Sequence, residues 1–101
     1  MDFDWNGANR SHIAAHGIAP EEAEQVLRNG PIDMALQNRG GEQRVLQLGE
    51  TDQHRLLVVV TTWRGDKVRV ITAFPANQRM KRFYQAQRGQ AHGKGTQDSS
   101  I

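Results

Sequence analysis

Residues 56–74 read LLVVVTTWRGDKVRVITAF, and this stretch decides the fold. The valine-rich run from Leu56 to Trp63 predicts a central strand, because an unbroken apolar run is typical of a strand buried on both faces. Residues 64–67 predict a tight hairpin turn, since Gly65 adopts positive φ without steric cost. Residues 68–74 return as another strand, whose alternation places Val68, Val70 and Thr72 on one face and Arg69, Ile71 and Ala73 on the other.

Two further strands precede this hairpin. Apolar and polar residues alternate over residues 32–37, which predicts a half-buried strand. Residues 38–41 read Asn-Arg-Gly-Gly and predict a turn into a strand over residues 45–48. Residues 3–5, Phe-Asp-Trp, predict a short opening strand.

A first helix is expected between the opening strand and residue 17. Asn6 and Asn9 are both suitable N-caps, because an asparagine side chain accepts a bond from the free N–H groups of the first turn. The helix is expected to run to about His16 and to end at Gly17, the residue type that most often follows a helix.

Two more helices carry clear boundary signals. Pro20 suits the first turn of a helix that Gly30-Pro31 ends. After residue 74, Asn77 is a cap for a final helix, whose sheet-packing stripe is predicted to contain Met80, Phe83, Tyr84 and Gln87.

The predicted order β-α-α-β-β-β-β-α makes the chain α+β: a short N-terminal strand, two helices, a four-stranded antiparallel sheet and a C-terminal helix. Strands joined by short connections pair as neighbours, so we expect an antiparallel meander with the helices on one side. Residues 1–87 are expected to form one domain. Residues 88–101 hold almost nothing apolar and are expected to be a disordered tail.

Composition limits the class of protein. The chain has 101 residues and no cysteine, which excludes disulfides, a thiol nucleophile and Cys-ligated zinc. Its longest apolar run is too short to cross a membrane, and its N-terminus lacks the pattern of a signal peptide. We therefore expect a cytoplasmic protein without a membrane partner.

Positive charge is concentrated in the second half of the chain. Residues 1–50 contain four arginines and eight acidic residues, whereas residues 51–101 contain nine lysines or arginines and three aspartates. A basic half favours a polyanionic partner such as RNA, although a solvated basic helix gives the same composition.

The chain lacks the common catalytic motifs: the nucleophile elbow, the phosphate-binding loop and the zinc-protease helix. His12 and His16 have the i, i+4 spacing of metal ligands, but no clear third ligand accompanies them, so we expect neither a metal nor another cofactor. Trp63 could stack on a base, but a tryptophan at the end of a strand more often belongs to the core.

Cations are the strongest chemical signal. Arg64 and Arg69 fall in the second half of the sheet, and the final helix that returns across the sheet adds Arg79, Lys81 and Arg82. Such a surface binds RNA phosphates and stabilises the charge that develops during cleavage. Simple solvation of these side chains is the alternative.

RNA cleavage of this kind needs a base and an acid but no metal, because the 2′-hydroxyl of the RNA is the nucleophile. His16 and Tyr84 are the candidates for proton transfer. Alternatively, His16 only ends its helix and Tyr84 only packs on the sheet.

Several short segments occur together between residues 3 and 86: Phe3-Asp4-Trp5-Asn6, His16-Gly17-Ile18, Pro20-Glu21-Glu22-Ala23, the runs 55–60 and 64–73, and Tyr84. In this order they resemble the BrnT family of bacterial toxins. The resemblance implies a RelE-like fold and a ribonuclease that arrests translation. It also implies a DNA-binding antitoxin, encoded by a neighbouring gene, that wraps the toxin and with it represses their operon.

The family pattern survives at His16, Arg64, Arg69, Arg79 and Tyr84. It is lost at four other positions, where a lysine, an asparagine, an arginine and a glutamate of the family are replaced by Ala15, His12, Phe74 and Met80. Removal of charged contacts weakens a site that stabilises a charged transition state.

Our first hypothesis is a type II toxin that cleaves RNA without a metal, with catalytic His16, Arg64, Arg79 and Tyr84 and RNA-binding Arg69, Lys81 and Arg82. The alternative, favoured by the four replacements, is a non-catalytic module of the same fold that binds protein or RNA. A third possibility is a structural domain whose sheet edge pairs with a second copy. The short predicted strands and charged turns argue against this last possibility.

Overall fold

A computed structural model of the protein describes residues 1–88. The elements are α1 (Gly7–Ala14), α2 (Pro20–Arg28), β1 (Ile32–Arg39), β2 (Glu42–Glu50), β3 (Leu56–Arg64), β4 (Lys67–Pro75) and a last helix, α3, over residues 78–88. The predicted α+β class and the four-stranded antiparallel sheet are confirmed. Apart from residue 88, the segment expected to be a disordered tail lies outside the described residues. None of the described helices is long and apolar enough to cross a membrane.

The four strands form one antiparallel sheet in the order β1-β2-β3-β4. The central position predicted for β3 is confirmed, because its residues from Leu57 to Thr62 are all buried. The β3–β4 turn opposes Arg64 to Lys67 and places Gly65 at a φ of +65°. This is the conformation for which glycine was expected there.

The helix boundaries follow from capping. The side chain of Asn6 accepts bonds from Ala8 and Asn9, and Asn9 returns one to the backbone of Asn6. α1 then ends at Ala14, earlier than expected, and Gly17 follows at a φ of +72°. α3 begins as predicted, with the side chain of Asn77 accepting from Met80 N at 2.8 Å.

Helices cover both faces of the sheet, so the expectation of helices on one side is wrong. α1 and α2 pack on Leu57 and Val59, whereas Val58 and Leu48 lie with Tyr84 of α3 on the opposite face. The reason is the composition of β3: successive side chains point to opposite faces, and both sets are apolar. A strand that is apolar on both faces requires cover on both.

A β-bulge corrects the predicted alternation in β4. The register between β3 and β4 shifts between Val60 and Thr61. As a result Ala73 joins Val68 and Val70 in the core beneath α1 and α2. An extra residue in one strand reverses the face of every side chain beyond it, and the pattern of one strand alone does not reveal it.

The opening strand is reduced to a single parallel bridge between Phe3 and Val68. Two backbone bonds hold it: Asp4 N donates to Val68 O, and Val68 N donates to Asp2 O, each at 2.8 Å. At the other side of the sheet, β1 is an edge strand of eight residues. It is longer than expected, but a register shift between Asp33 and Ala35 interrupts it, which is a common protection against edge pairing.

Candidate functional site

The uncovered half of the α3 side of the sheet is rich in arginine. α3 lies over one end of this face, on Val58, Leu48 and Phe74. Period-two alternation continues the face from Val58 along β3 to Thr62 and Arg64. Thr62 lies opposite Arg69 in the register, and residues directly opposite in antiparallel strands share a face.

The β1–β2 hairpin adds two arginines that the sequence did not single out. Arg44 lies opposite Gln37, and Arg39 lies opposite Glu42. The ion pair between Glu42 and Arg64 shows that this hairpin and β3 present the same face. We call the set Arg39, Arg44, Arg64 and Arg69 the cationic face.

Two carboxylates partly neutralise the cationic face. Glu42 contacts Arg44 at 3.0 Å and Arg64 at 3.6 Å, and Asp4 contacts Arg69 at 3.2 Å. Four guanidinium groups therefore oppose two carboxylates, and the face keeps a net positive charge. The side chain of Arg64 is 56% exposed, so the face is open to a ligand at this point.

His16 lies near the α3 end of the same face. Its ring centroid is 6.1 Å from that of Phe74, in an edge-on arrangement. His16 is exposed and belongs to the turn after α1, so the expectation that this helix runs to about His16 is wrong. Phe74, at the position where the resemblance implies an arginine, is thus the neighbour of His16.

The residues of α3 divide into separate flanks, because each residue turns the helix by about 100°. Tyr84 and Met80 face the sheet. Lys81 and Arg88 line a pocket on one flank. Arg79 and the 42% exposed Phe83 fall on the opposite flank, toward the cationic face. Arg82 falls on the solvent side of the helix, away from the sheet.

The structure does not gather the predicted catalytic residues at one point. Arg64 lies at the β3–β4 turn, opposite Lys67. Lys67 is seven residues from Phe74 along β4, a separation of about 20 Å in an extended strand. His16 and the flank of α3 that carries Arg79 lie at the other end of the cationic face. Tyr84 lies beneath α3, with its hydroxyl group at the pocket on the far flank.

That pocket has a volume of about 600 Å³. The hydroxyl oxygen of Tyr84 accepts from Arg88 Nε at 2.9 Å and from Arg88 Nη2 at 2.7 Å. The pocket is lined by Glu50, His54, Arg55, Leu56, Pro75, Ala76, Lys81, Tyr84, Gln85 and Arg88. His54 is a candidate for proton transfer that sequence reasoning missed.

Two further expectations concern Trp63 and metal ligands. Trp63 is 63% exposed and does not belong to the core, which contradicts the commoner role of a tryptophan at the end of a strand. Within residues 1–88, no three His, Asp or Glu side chains are grouped so as to hold a metal ion. His12 is on α1, but His16 lies beyond its end.

Comparison with known protein families gives a match over most of the chain. Residues 5–79 match the family described as "Ribonuclease toxin, BrnT, of type II toxin-antitoxin system". The matched segment contains His16, Arg64, Arg69 and Arg79, whereas Lys81, Arg82 and Tyr84 lie beyond it. No curated protein matches the chain.

Proposed function

Because the chain belongs to the BrnT family of ribonuclease toxins of type II toxin–antitoxin systems, we propose that it is an endoribonuclease that binds RNA on the cationic face and cleaves it without a metal. The observation that carries the proposal is the excess of four arginines over two carboxylates on one open sheet face. Phosphate contacts of this kind dominate the affinity of proteins for nucleic acids. The order of elements also supports a RelE-like fold.

The proposed reaction needs only groups of the RNA and of the protein. The ribose 2′-oxygen attacks the adjacent phosphorus, the bond from phosphorus to the 5′-oxygen breaks, and a 2′,3′-cyclic phosphate forms. A base takes the proton of the 2′-hydroxyl, and an acid gives one to the leaving 5′-oxygen. Guanidinium groups stabilise the negative charge that develops on the phosphoryl oxygens.

His16 and Arg79 are the residues we assign to the reacting phosphate. His16 is exposed next to Phe74, at the end of the face that the Arg79 flank of α3 borders. Arg69, Arg64 and Arg44 would then bind phosphates further along the RNA strand. Lys81 and Arg82 lie on other sides of α3, and we assign them no contact with the reacting phosphate.

Cleavage of total RNA in excess chelator tests this proposal. We expect the wild type to cleave and Arg79→Ala to cleave at least 10²-fold more slowly, since one charged contact to a transition state is worth about 3 kcal/mol. Arg28→Ala is the control, because Arg28 lies on α2, on the opposite side of the sheet, and is 57% exposed. Equal rates for Arg79→Ala and Arg28→Ala would remove Arg79 from the mechanism, and cleavage that chelator abolishes would disprove metal independence.

The second candidate function is a non-catalytic module that binds RNA or protein through the same fold. It is favoured by the separation of the two residues predicted to transfer protons: His16 lies beside Phe74, whereas the hydroxyl of Tyr84 is held by Arg88 at the pocket. RNA binding without cleavage, in buffer and in a translating extract, would select this alternative.

Membership of a toxin–antitoxin family implies an antitoxin partner. We propose that a neighbouring gene encodes it. Expression of the chain alone is then expected to arrest growth, and coexpression of the neighbour is expected to restore it. Growth unaffected by the chain would contradict the toxin assignment, and arrest that the neighbour does not relieve would contradict its role as antitoxin.

A further inference from the structure

The pocket beside α3 has features of an anion site that are independent of the cationic face. It lies between α3 and the connection from β2 to β3, on the flank of the helix that faces away from the cationic face. None of the four arginines of the cationic face lines it. A ligand in the pocket is therefore distinct from a phosphate on that face.

The hydroxyl group of Tyr84 is the central feature of the pocket. Tyr84 is 4% exposed, and both bonds that its oxygen accepts come from Arg88. A hydroxyl oxygen has two acceptor positions and one proton. Arg88 fills both acceptor positions. The proton of the hydroxyl group is then the donor that remains for an anionic ligand in the pocket that Tyr84 lines.

The other polar groups of the pocket are mostly donors. Within the described part of the chain, neither Lys81 nor Arg88 has a carboxylate within ion-pair distance. The one acidic lining residue, Glu50, is bonded to His54 at 3.1 Å. Arg55 donates from one nitrogen, Nη1, to the carboxylate of Glu22 and to the carbonyl oxygen of Gly17.

The backbone at His54 is also unusual. Its φ is +64°, and it is the one residue other than glycine with positive φ within residues 1–88. Left-handed backbone of this kind costs free energy and clusters at binding sites. Backbone bonds from Thr51 N to Arg55 O and from His54 N to Thr51 O hold the turn in which His54 lines the pocket.

We propose that this pocket binds the phosphate group of a nucleotide, which Tyr84, Lys81 and Arg88 would contact as donors. The apolar part of the wall, formed by Leu56, Pro75 and Ala76, would face the sugar or base. The volume of about 600 Å³ is within the range of small-molecule sites. The phosphate has two possible sources, a free mononucleotide and an RNA strand that continues past α3 from the cationic face.

Binding titrations with uridine 3′-monophosphate and with a 12-nucleotide RNA test the proposal, in the full chain. Tyr84→Phe keeps the packed ring and removes the donated proton. Lys81→Ala removes an exposed cation with little effect on folding. We expect each variant to weaken binding of the phosphate ligand about tenfold, the usual value of a hydrogen bond to a charged group. Arg82→Ala makes the same change of charge one residue further along α3, outside the pocket.

The outcomes separate the two sources. Weaker binding of the mononucleotide supports the proposal with a free nucleotide as ligand, and weaker binding of the RNA alone supports it with the RNA strand as ligand. Unchanged affinity of both variants for both ligands would overturn it, as would an equal loss in Arg82→Ala and Lys81→Ala, which would show a general effect of charge. These titrations measure binding, so a chain that cleaves no RNA can still show this site. Failure of the proposed nuclease function is therefore distinguishable from failure of the proposed phosphate site.

Discussion

Arg55 Nη1 lies 3.1 Å from both carboxylate oxygens of Glu22 and 3.0 Å from the carbonyl oxygen of Gly17. Glu22 also accepts from Ala19 N at 3.0 Å, and so caps a helix whose N-cap residue has no capping side chain. One carboxylate therefore closes the first turn of α2 and ties that helix to the residue that precedes β3.

Glu22→Gln tests this relationship through pH. The backbone N–H of Ala19, and after it the bonds and charge of Arg55, hold the pKa of Glu22 below its usual value of 4.5. A lowered folded-state pKa stabilises the protein above pH 4.5, and this stabilisation is lost as the pH falls through the folded-state pKa. We expect Glu22→Gln to lower the free energy of unfolding by about 1 kcal/mol at pH 7.

Urea unfolding of the wild type and Glu22→Gln, at pH 7 and again at a pH below the folded-state pKa, measures the difference. In acid the wild-type side chain is neutral too, so most of the difference is expected to vanish. A difference of the same size at both pH values would show that the charge has no part in it.

Asn9→Ala is expected to destabilise the protein by about 1–3 kcal/mol, because Asn9 is a buried polar residue with two structural partners. Its Oδ1 accepts from Asn6 N at 2.7 Å, and its Nδ2 donates to Asp4 O at 2.9 Å. Ser11→Ala is the control, since Ser11 is exposed on the same helix. Thermal unfolding compares the Asn9→Ala and Ser11→Ala variants. Equal unfolding midpoints would contradict the stabilising role assigned to Asn9.

Gly49→Ala is expected to cost about 1–3 kcal/mol through overpacking. A Cβ atom at Gly49 would lie 3.0 Å from Pro31 Cβ and 3.1 Å from Val26 Cγ1, between β2 and the end of α2. The matched control is Gly7→Ala, where an added Cβ meets nothing within 4 Å. Denaturant unfolding of both variants checks the prediction, and equal stabilities would show that α2 has room to move away.

Arg44→Ala is expected to reduce the salt dependence of RNA binding. Loss of one phosphate contact to a single strand lowers the slope of log K against log salt by about 0.7. Arg44 is half-buried on the cationic face. Arg28→Ala is the control, because Arg28 lies on α2, on the opposite side of the sheet. Titrations at several salt concentrations give the slopes. An unchanged slope would mean that RNA does not contact Arg44.

The candidate site was predictable in its chemistry but not in its arrangement. Arg64, Arg69 and Arg79 were identifiable as cations near the sheet, and the register then placed Arg39 and Arg44 beside the first two. The signal for this pair was the Gly40-Gly41 turn, which fixes the pairing of β1 with β2. The division of α3 into two flanks, with Tyr84 at a separate pocket, could not be predicted, because it depends on which side of the helix meets the sheet.

Local features of the sequence by themselves determined the strands, the turns and the family. Capping residues, the glycine at the hairpin turn and the apolar run of β3 act over a few residues, so they can be predicted without knowledge of the rest of the chain. The tertiary structure alone decided that helices cover both faces, that a bulge turns Ala73 into the core, and that His16 and Tyr84 lie apart. These are contacts between segments distant in sequence, and their outcome depends on how the two apolar faces of β3 are each covered, which no single segment specifies.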